Sequence, residues 1–217
     1  MKKNPLRLRV IVAAALVLLI LLADQIIKFG VKTNMALYER IDVTDWCKLL
    51  FIENRGMAFG MDFIGTMFLT LFRVAAIVLF SFILVRIVRK KAPVGLIVCF
   101  ALVVAGAAGN IIDNCFYGLI YSESVPGGAP AQLVPWGEGY SSFLSGKVVD
   151  MFYFPLFRWP SWVPLIGGDV FFGAIFNFAD AAISCGAIAI LLFYRRYFTA
   201  DYLLRRSKAG KATGRKP

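Results

Sequence analysis

Two aspartates stand where a carboxylate is costly to keep. Asp180 lies in FNFADAAI (Phe176–Ile183), inside Phe172–Tyr194, an apolar run long enough to cross a bilayer. An ionised acid within a spanning helix costs roughly 2.5–3.5 kcal/mol on the mildest insertion scale. Asp150 lies in the segment that leads into that run. Two facing carboxylates cannot both ionise cheaply, so they tend to share one proton. Such a pair can do peptidase chemistry. The ionised partner takes a proton from a water that attacks the scissile carbonyl, while the protonated partner hydrogen-bonds the carbonyl oxygen and helps protonate the leaving amine. This mechanism calls for no metal, cofactor or covalent intermediate.

Elimination favours the same chemistry. The chain contains no histidine, which excludes Ser-His and Cys-His nucleophile pairs. Cysteines at 47, 99, 115 and 185 form no CxxC pattern, and their spacing offers no zinc site. A disulfide between Cys47 and Cys115 is conceivable. Ser145 with Lys147 leaves a serine–lysine pair formally open.

Other polar residues are candidates for a supporting role, each with a plain structural reading. Asp24 and Lys28 are spaced i,i+4, the geometry of a helical ion pair. Asn54 and Gly56, in ENRGMAFG, suit a turn. In GNIID, Gly109 suits close helix packing, with Asn110 and Asp113 as polar groups at a helix end. Asn177 shares the segment of Asp180, and Arg73 could pair with an acid or with a lipid phosphate.

The elements that must position these groups follow from hydropathy. Hydrophobic residues make up 59% of the chain and mean hydropathy is +0.73, too apolar for a soluble domain of this size. Four windows are long enough to span: 10–27, 66–88, 94–115 and 172–194. The expected fold is therefore an all-α integral membrane protein of four transmembrane helices, forming a single domain over residues 1–217.

The net charge of +11 is sorted by loop, so it does not point to nucleic acid. Sixteen Lys/Arg lie before the first helix, between the second and third, and after Tyr194; the excursions 30–65 and 116–171 hold six Lys/Arg against nine Asp/Glu. By the positive-inside rule both termini and the basic tail 195–217 are cytoplasmic, and both excursions are outside. A retained first helix is expected rather than a cleaved signal, since Asp24-Gln25 interrupts the apolar run where a small-residue cleavage site would stand. LLFIEN in the first excursion suggests a small extracytoplasmic β element. The second excursion ends in the aromatic stretch MFYFPLFRWPSWVPLIGGDVFF, which suits an interfacial loop. In this topology Asp24, Asp113, Asp150 and Asp180 converge on one layer just below the outer surface, with Asp180 about 12 Å below the start of its helix.

Five segments in order, DQIIK (Asp24–Lys28), NRGMAFG (Asn54–Gly60), GNIIDN (Gly109–Asn114), VVDMF (Val148–Phe152) and FNFADAAI, resemble the lipoprotein signal peptidase family, signal peptidase II. The resemblance spans most of the chain and implies a hydrolase of the bacterial inner membrane. That enzyme would be an intramembrane aspartyl endopeptidase removing signal peptides from prolipoproteins just before a diacylglyceryl-modified cysteine. It places the catalytic pair on Asp150 and Asp180, and implies a lipidated substrate, contact with membrane lipid, no nucleic acid and a monomer. The chain departs from the family at Asn114, where an arginine is usual, and in the greater length of 116–146. Arg73 is a candidate to replace that arginine. The alternative is a small proton-coupled transporter or channel using intramembrane acids, but the inner halves of helices one and four are almost bare of charge and offer no through-route.

Overall fold

The computed structural model describes residues 5–55 and 66–198; Gly56 and the basic tail beyond Phe198 fall outside them. Among the described residues, four helices are long and apolar enough to cross a membrane. The first, α1, runs Pro5–Asn34. Its 30 residues reach about 45 Å, more than the ~30 Å hydrocarbon core, so its last turns extend beyond that core. The second, α2, covers Thr66–Arg89. The third begins as α3, Val94–Ile112, widens into a π-helical turn over Asp113–Tyr117, and ends in the single turn α4, Gly118–Ile120. The fourth begins as α5, Phe178–Ala189, and continues through a π-type turn to Phe198.

The third helix is the axis of the bundle. Of its apolar window 61% is buried within the protein, against 11% for α1 and 17% for the second and fourth helices. Glycines let its neighbours come close, as small residues do between membrane helices. A Cβ on Gly106 would stand 2.3 Å from the carbonyl oxygen of Ala179, and one on Gly109 would stand 2.5 Å from Oδ2 of Asp24. Neither site has room for a side chain, as expected at Gly109.

One end of the bundle carries an antiparallel sheet of β1 (Arg40–Asp42), β2 (Lys48–Asn54), β3 (Val148–Tyr153) and β6 (Ile175–Phe176), in the order β1-β2-β3-β6. The pairing of β2 with β3 sets Ile52 opposite Asp150 and Glu53 opposite Val149, with an irregularity between Leu49 and Ile52. A separate hairpin, β4 (Phe157–Arg158) with β5 (Val170–Phe171), is held by aromatic stacking of Phe157 on Phe171. At the opposite end Arg9 of α1 donates from Nε to the carbonyl of Ala92 at 3.1 Å. These two poles are called the sheet end and the basic end.

The fold corrects the bounds of two helices. The fourth helix starts at Phe178, not at 172, because Ile175–Phe176 pairs with Phe152–Tyr153 as a strand. Asp180 therefore sits in the first helical turn rather than 12 Å down a helix. The first helix outlasts 10–27 at both ends, and 30–65 accordingly begins as helix. All four cysteines are free, so Cys47 and Cys115 do not pair.

Candidate active site

The sheet and the fourth helix meet at Asn177, which follows β6 directly and caps α5. Its Oδ1 accepts from the backbone N–H of Asp180 at 2.9 Å, while the Asn177 N–H donates to Oδ2 of Asp180 at 3.3 Å. This reciprocal capping box satisfies helix-end donors and fixes Asp180 in the first turn. The same asparagine turns its amide to the second acid: Asn177 Nδ2 donates to Oδ1 of Asp150 at 2.7 Å. Asp150 is held from the other side by Nδ2 of Asn54, 3.3 Å from its Oδ2. The remaining oxygen of Asp180, Oδ1, accepts from Nδ2 of Asn110 at 2.8 Å.

Asn110 joins the two acids to a buried ionic layer. Its Oδ1 accepts from Asn177 Nδ2 at 3.0 Å and from Lys28 Nζ at 2.9 Å. Lys28 is fully buried and forms ion pairs with Asp24 at 2.9 Å and Asp113 at 2.8 Å. Asp24 reaches across to α5, where its Oδ1 accepts from the N–H of Ala179 at 2.9 Å. Asp113 reaches the sheet, accepting from the N–H of Val149 at 3.2 Å and from Gln25 Nε2 at 3.0 Å. The π turn lets the consecutive residues Asp113 and Asn114 both be buried. One faces Lys28. The other accepts from Arg73 NH1 at 2.8 Å and donates to the carbonyl of Gly146 at 2.7 Å.

Electrostatics separates the acids. Asp150 is 2% exposed; burial first, and then the Asp180 carboxylate, push its pKa up to about 7, against the hydrogen bonds from Asn54 and Asn177. Asp180 is only half-buried. The site thus offers one carboxyl that keeps its proton towards neutral pH and a second, more exposed one beside it, both gripped by one asparagine.

Of the expected residues, Asp24, Lys28, Asn54, Asn110, Asp113, Asp150, Asn177 and Asp180 form this one network, whereas Gly56 lies outside the described residues. The i,i+4 pair of Asp24 with Lys28 is present, but it is one side of a larger layer. Arg73 meets Asn114, not Asp113, whose cation is Lys28. Ser145 and Lys147 do not assemble a nucleophile: Ser145 Oγ accepts from Ser142 Oγ at 3.3 Å, and Lys147 Nζ pairs with Glu53 at 3.0 Å. Sequence reasoning missed Gln25, Glu53 and Lys32. Gln25 was legible in DQIIK as the neighbour of Asp24; Glu53 and Lys32 carried no local signal, since they meet across 21 residues.

Comparison with known proteins places this geometry in a lineage. The family model for signal peptidase (SPase) II matches residues 16–196. A lipoprotein signal peptidase of Porphyromonas gingivalis strain ATCC 33277 is 47% identical over 202 residues, covering 91% of this chain and 88% of that protein. One from Amoebophilus asiaticus is 35% identical over 185 residues, covering 81% and 74%. In fold the chain is similar to a bacterial membrane enzyme determined by the in meso method at 1.9 Å resolution, with TM-score 0.56 and 23% identity over 84% of this chain and 93% of that one. With described residues from each of the five motifs joined in one network and matches of this extent, the chain belongs to the signal peptidase II family.

Proposed function

We propose that this chain is an aspartyl endopeptidase of the bacterial inner membrane, with Asp150 and Asp180 as the catalytic pair, removing the signal peptide from lipidated prolipoproteins. It is a multi-pass bacterial membrane protein of a protease family, and its relatives carry the name lipoprotein signal peptidase. The observation that carries the aspartyl mechanism is Asn177, which holds one acid through its side-chain amide and the other through its backbone N–H and its Oδ1.

The division of labour follows from burial. Asp150 keeps its proton and hydrogen-bonds the scissile carbonyl oxygen, stabilising the developing oxyanion. Asp180, the more exposed of the two, takes a proton from the attacking water and later passes it to the leaving amine. Asn110 and Asn54 hold the outer oxygens of the two acids and keep them oriented. Asp24, Lys28 and Asp113 form the platform beneath. The substrate enters from the bilayer with its acyl chains, each buried CH₂ contributing about 0.8 kcal/mol, and a single copy of the chain holds the complete site. Transport has no support among these relatives, which are named as peptidases.

The test is cleavage of a synthetic lipidated prolipoprotein by purified protein in detergent, read as a size shift. Asp150→Asn and Asp180→Asn keep size and much of the hydrogen bonding but cannot exchange a proton, so each should abolish cleavage while the protein still inserts. The double variant should be hardly worse than either single one. Cleavage by either Asn variant would end the aspartyl mechanism, and equal cleavage of unlipidated precursor would remove the lipid requirement.

A further inference from the structure

A second buried polar cluster stands on the opposite face of the sheet and takes no part in the chemistry above. Glu53 is its centre. Lys32, from the last turns of α1, pairs with Glu53 Oε1, and Lys147 approaches Oε2 at 3.0 Å. Ser124 Oγ donates to the same Oε1 at 2.9 Å. Tyr140 lies over both cations, with Lys32 Nζ and Lys147 Nζ each 5.0 Å from its ring centre, and its hydroxyl accepts from the Lys147 N–H at 2.8 Å. Burial opposes ionisation of Glu53, yet the two ammonium groups outweigh it and hold the carboxyl below the usual range.

The placement of this cluster is what makes it informative. Glu53 directly precedes Asn54, and Lys147 lies three residues before Asp150. In a strand, neighbours point to opposite faces, so fixing Glu53 on one face fixes Asn54 on the other. A slip of one residue would turn Asn54 away from Asp150. The pairing of β2 with β3 is already irregular between Leu49 and Ile52, so the end of β2 that carries Asn54 needs its own anchor. Ser124 and Tyr140, two of its members, come from the long 116–146 segment between the third helix and β3.

We infer that Lys32, Glu53 and Lys147, closed over by Ser124 and Tyr140, form a register lock that positions Asn54 against Asp150. On this reading the long 116–146 segment is a positioning element for the acid pair. The inference rests on Asp150 and Asp180 being the catalytic pair.

Lys147→Met leaves Glu53 paired with Lys32 and loosens one half of the lock. It should lower kcat about tenfold to a hundredfold, as small misplacements do, with KM little changed. Among the described residues the charged groups that act on Asp150 are Asp180 and Lys28, and the hydrogen bond from Asn54 opposes the upward push of burial. Losing that bond should therefore move the descending limb of the pH–rate profile to higher pH, as Asn54→Ala should also do. The combined Lys147→Met/Asn54→Ala variant should be no slower than Asn54→Ala alone, because both remove one interaction. Lys147→Arg should restore most of the rate. Should Lys147→Met fail to accumulate, Ser124→Ala/Tyr140→Phe carries the same three expectations. An unshifted profile, or losses that multiply with Asn54→Ala, would overturn the lock. Wild type and Asp150→Asn run in the same assay keep the two readings apart: cleavage by the first and none by the second, with an unaltered Lys147→Met, removes the lock alone.

Discussion

At the scale of single residues, protonation decides what each group can do. Asp150 carries a pKa raised to about 7 by burial and by Asp180, so the folded protein binds a proton there that the unfolded chain, near pKa 3.9, has already released. Its contribution to stability is fully present below about pH 4 and is lost as pH rises through 7. Thermal stability of the wild type in detergent should accordingly fall across that window. In Asp150→Asn this component should vanish, leaving the variant the more stable of the two above pH 7; a wild type that gains stability relative to the variant over the same range would contradict the burial argument. Asn177 is the other decisive residue, because among the described residues it is the one hydrogen-bonded to both acids. Asn177→Ala should cost more turnover than Asn54→Ala or Asn110→Ala, by at least about tenfold, or ~1.4 kcal/mol in the barrier. It should still retain more activity than either aspartate variant, since orientation is a smaller effect than loss of the acid–base group.

At the scale of elements, hydropathy made the four helices legible and left their ends unread. A strand and a buried helix both appear as apolar runs, so Phe172–Phe176 was indistinguishable from the helix that follows. The N-x-x-D spacing of Asn177 and Asp180 is a helix-start signature that places the boundary correctly. The site residues were legible because polar groups in apolar surroundings are conspicuous. Their partners were not, since Lys28 with Asp113 and Asn177 with Asp150 meet only after the bundle forms. The contact of α3 with α5 is the joint that brings them together, and Gly106 sets its spacing. A Cβ there meets backbone at Ala179 rather than a side chain that can turn away, so Gly106→Leu forces α5 outward. About 1–3 kcal/mol of stability should be lost, and cleavage should fall further than thermal stability does, because Asp180 is the next residue after Ala179. Unchanged cleavage and melting would show that α5 approaches α3 less closely than this.

At the scale of the whole molecule, charge and chemistry occupy opposite poles. Arg9 and Ala92 join at the basic end, where Gly95 lies against Tyr194, so the starts of α1 and α3 and the end of the fourth helix are together. Lys90, Lys91, Arg195 and Arg196 follow the same connections in sequence. The sheet end holds the acid pair, the four-stranded sheet and the candidate site. Retention of positive residues on the cytoplasmic side predicts that the sheet end lies outside and that the acid pair stands at the outer face of the bilayer, where the lipid-anchored precursor of the proposed function would present its cleavage site. Reporter fusions after Arg89 and after Arg206 should therefore be active in the cytoplasm, and fusions within 122–140 only outside. Moving charge should act through the same balance. Arg86, Arg89, Lys90 and Lys91 replaced together by Gln should produce a mixed population in the reporter assay, because the connection between α2 and α3 would lose its retention signal. A fusion after Arg206 that reports outside while the one after Arg89 reports inside would require an odd number of crossings after that connection and would overturn the arrangement in which the third and fourth helices both span.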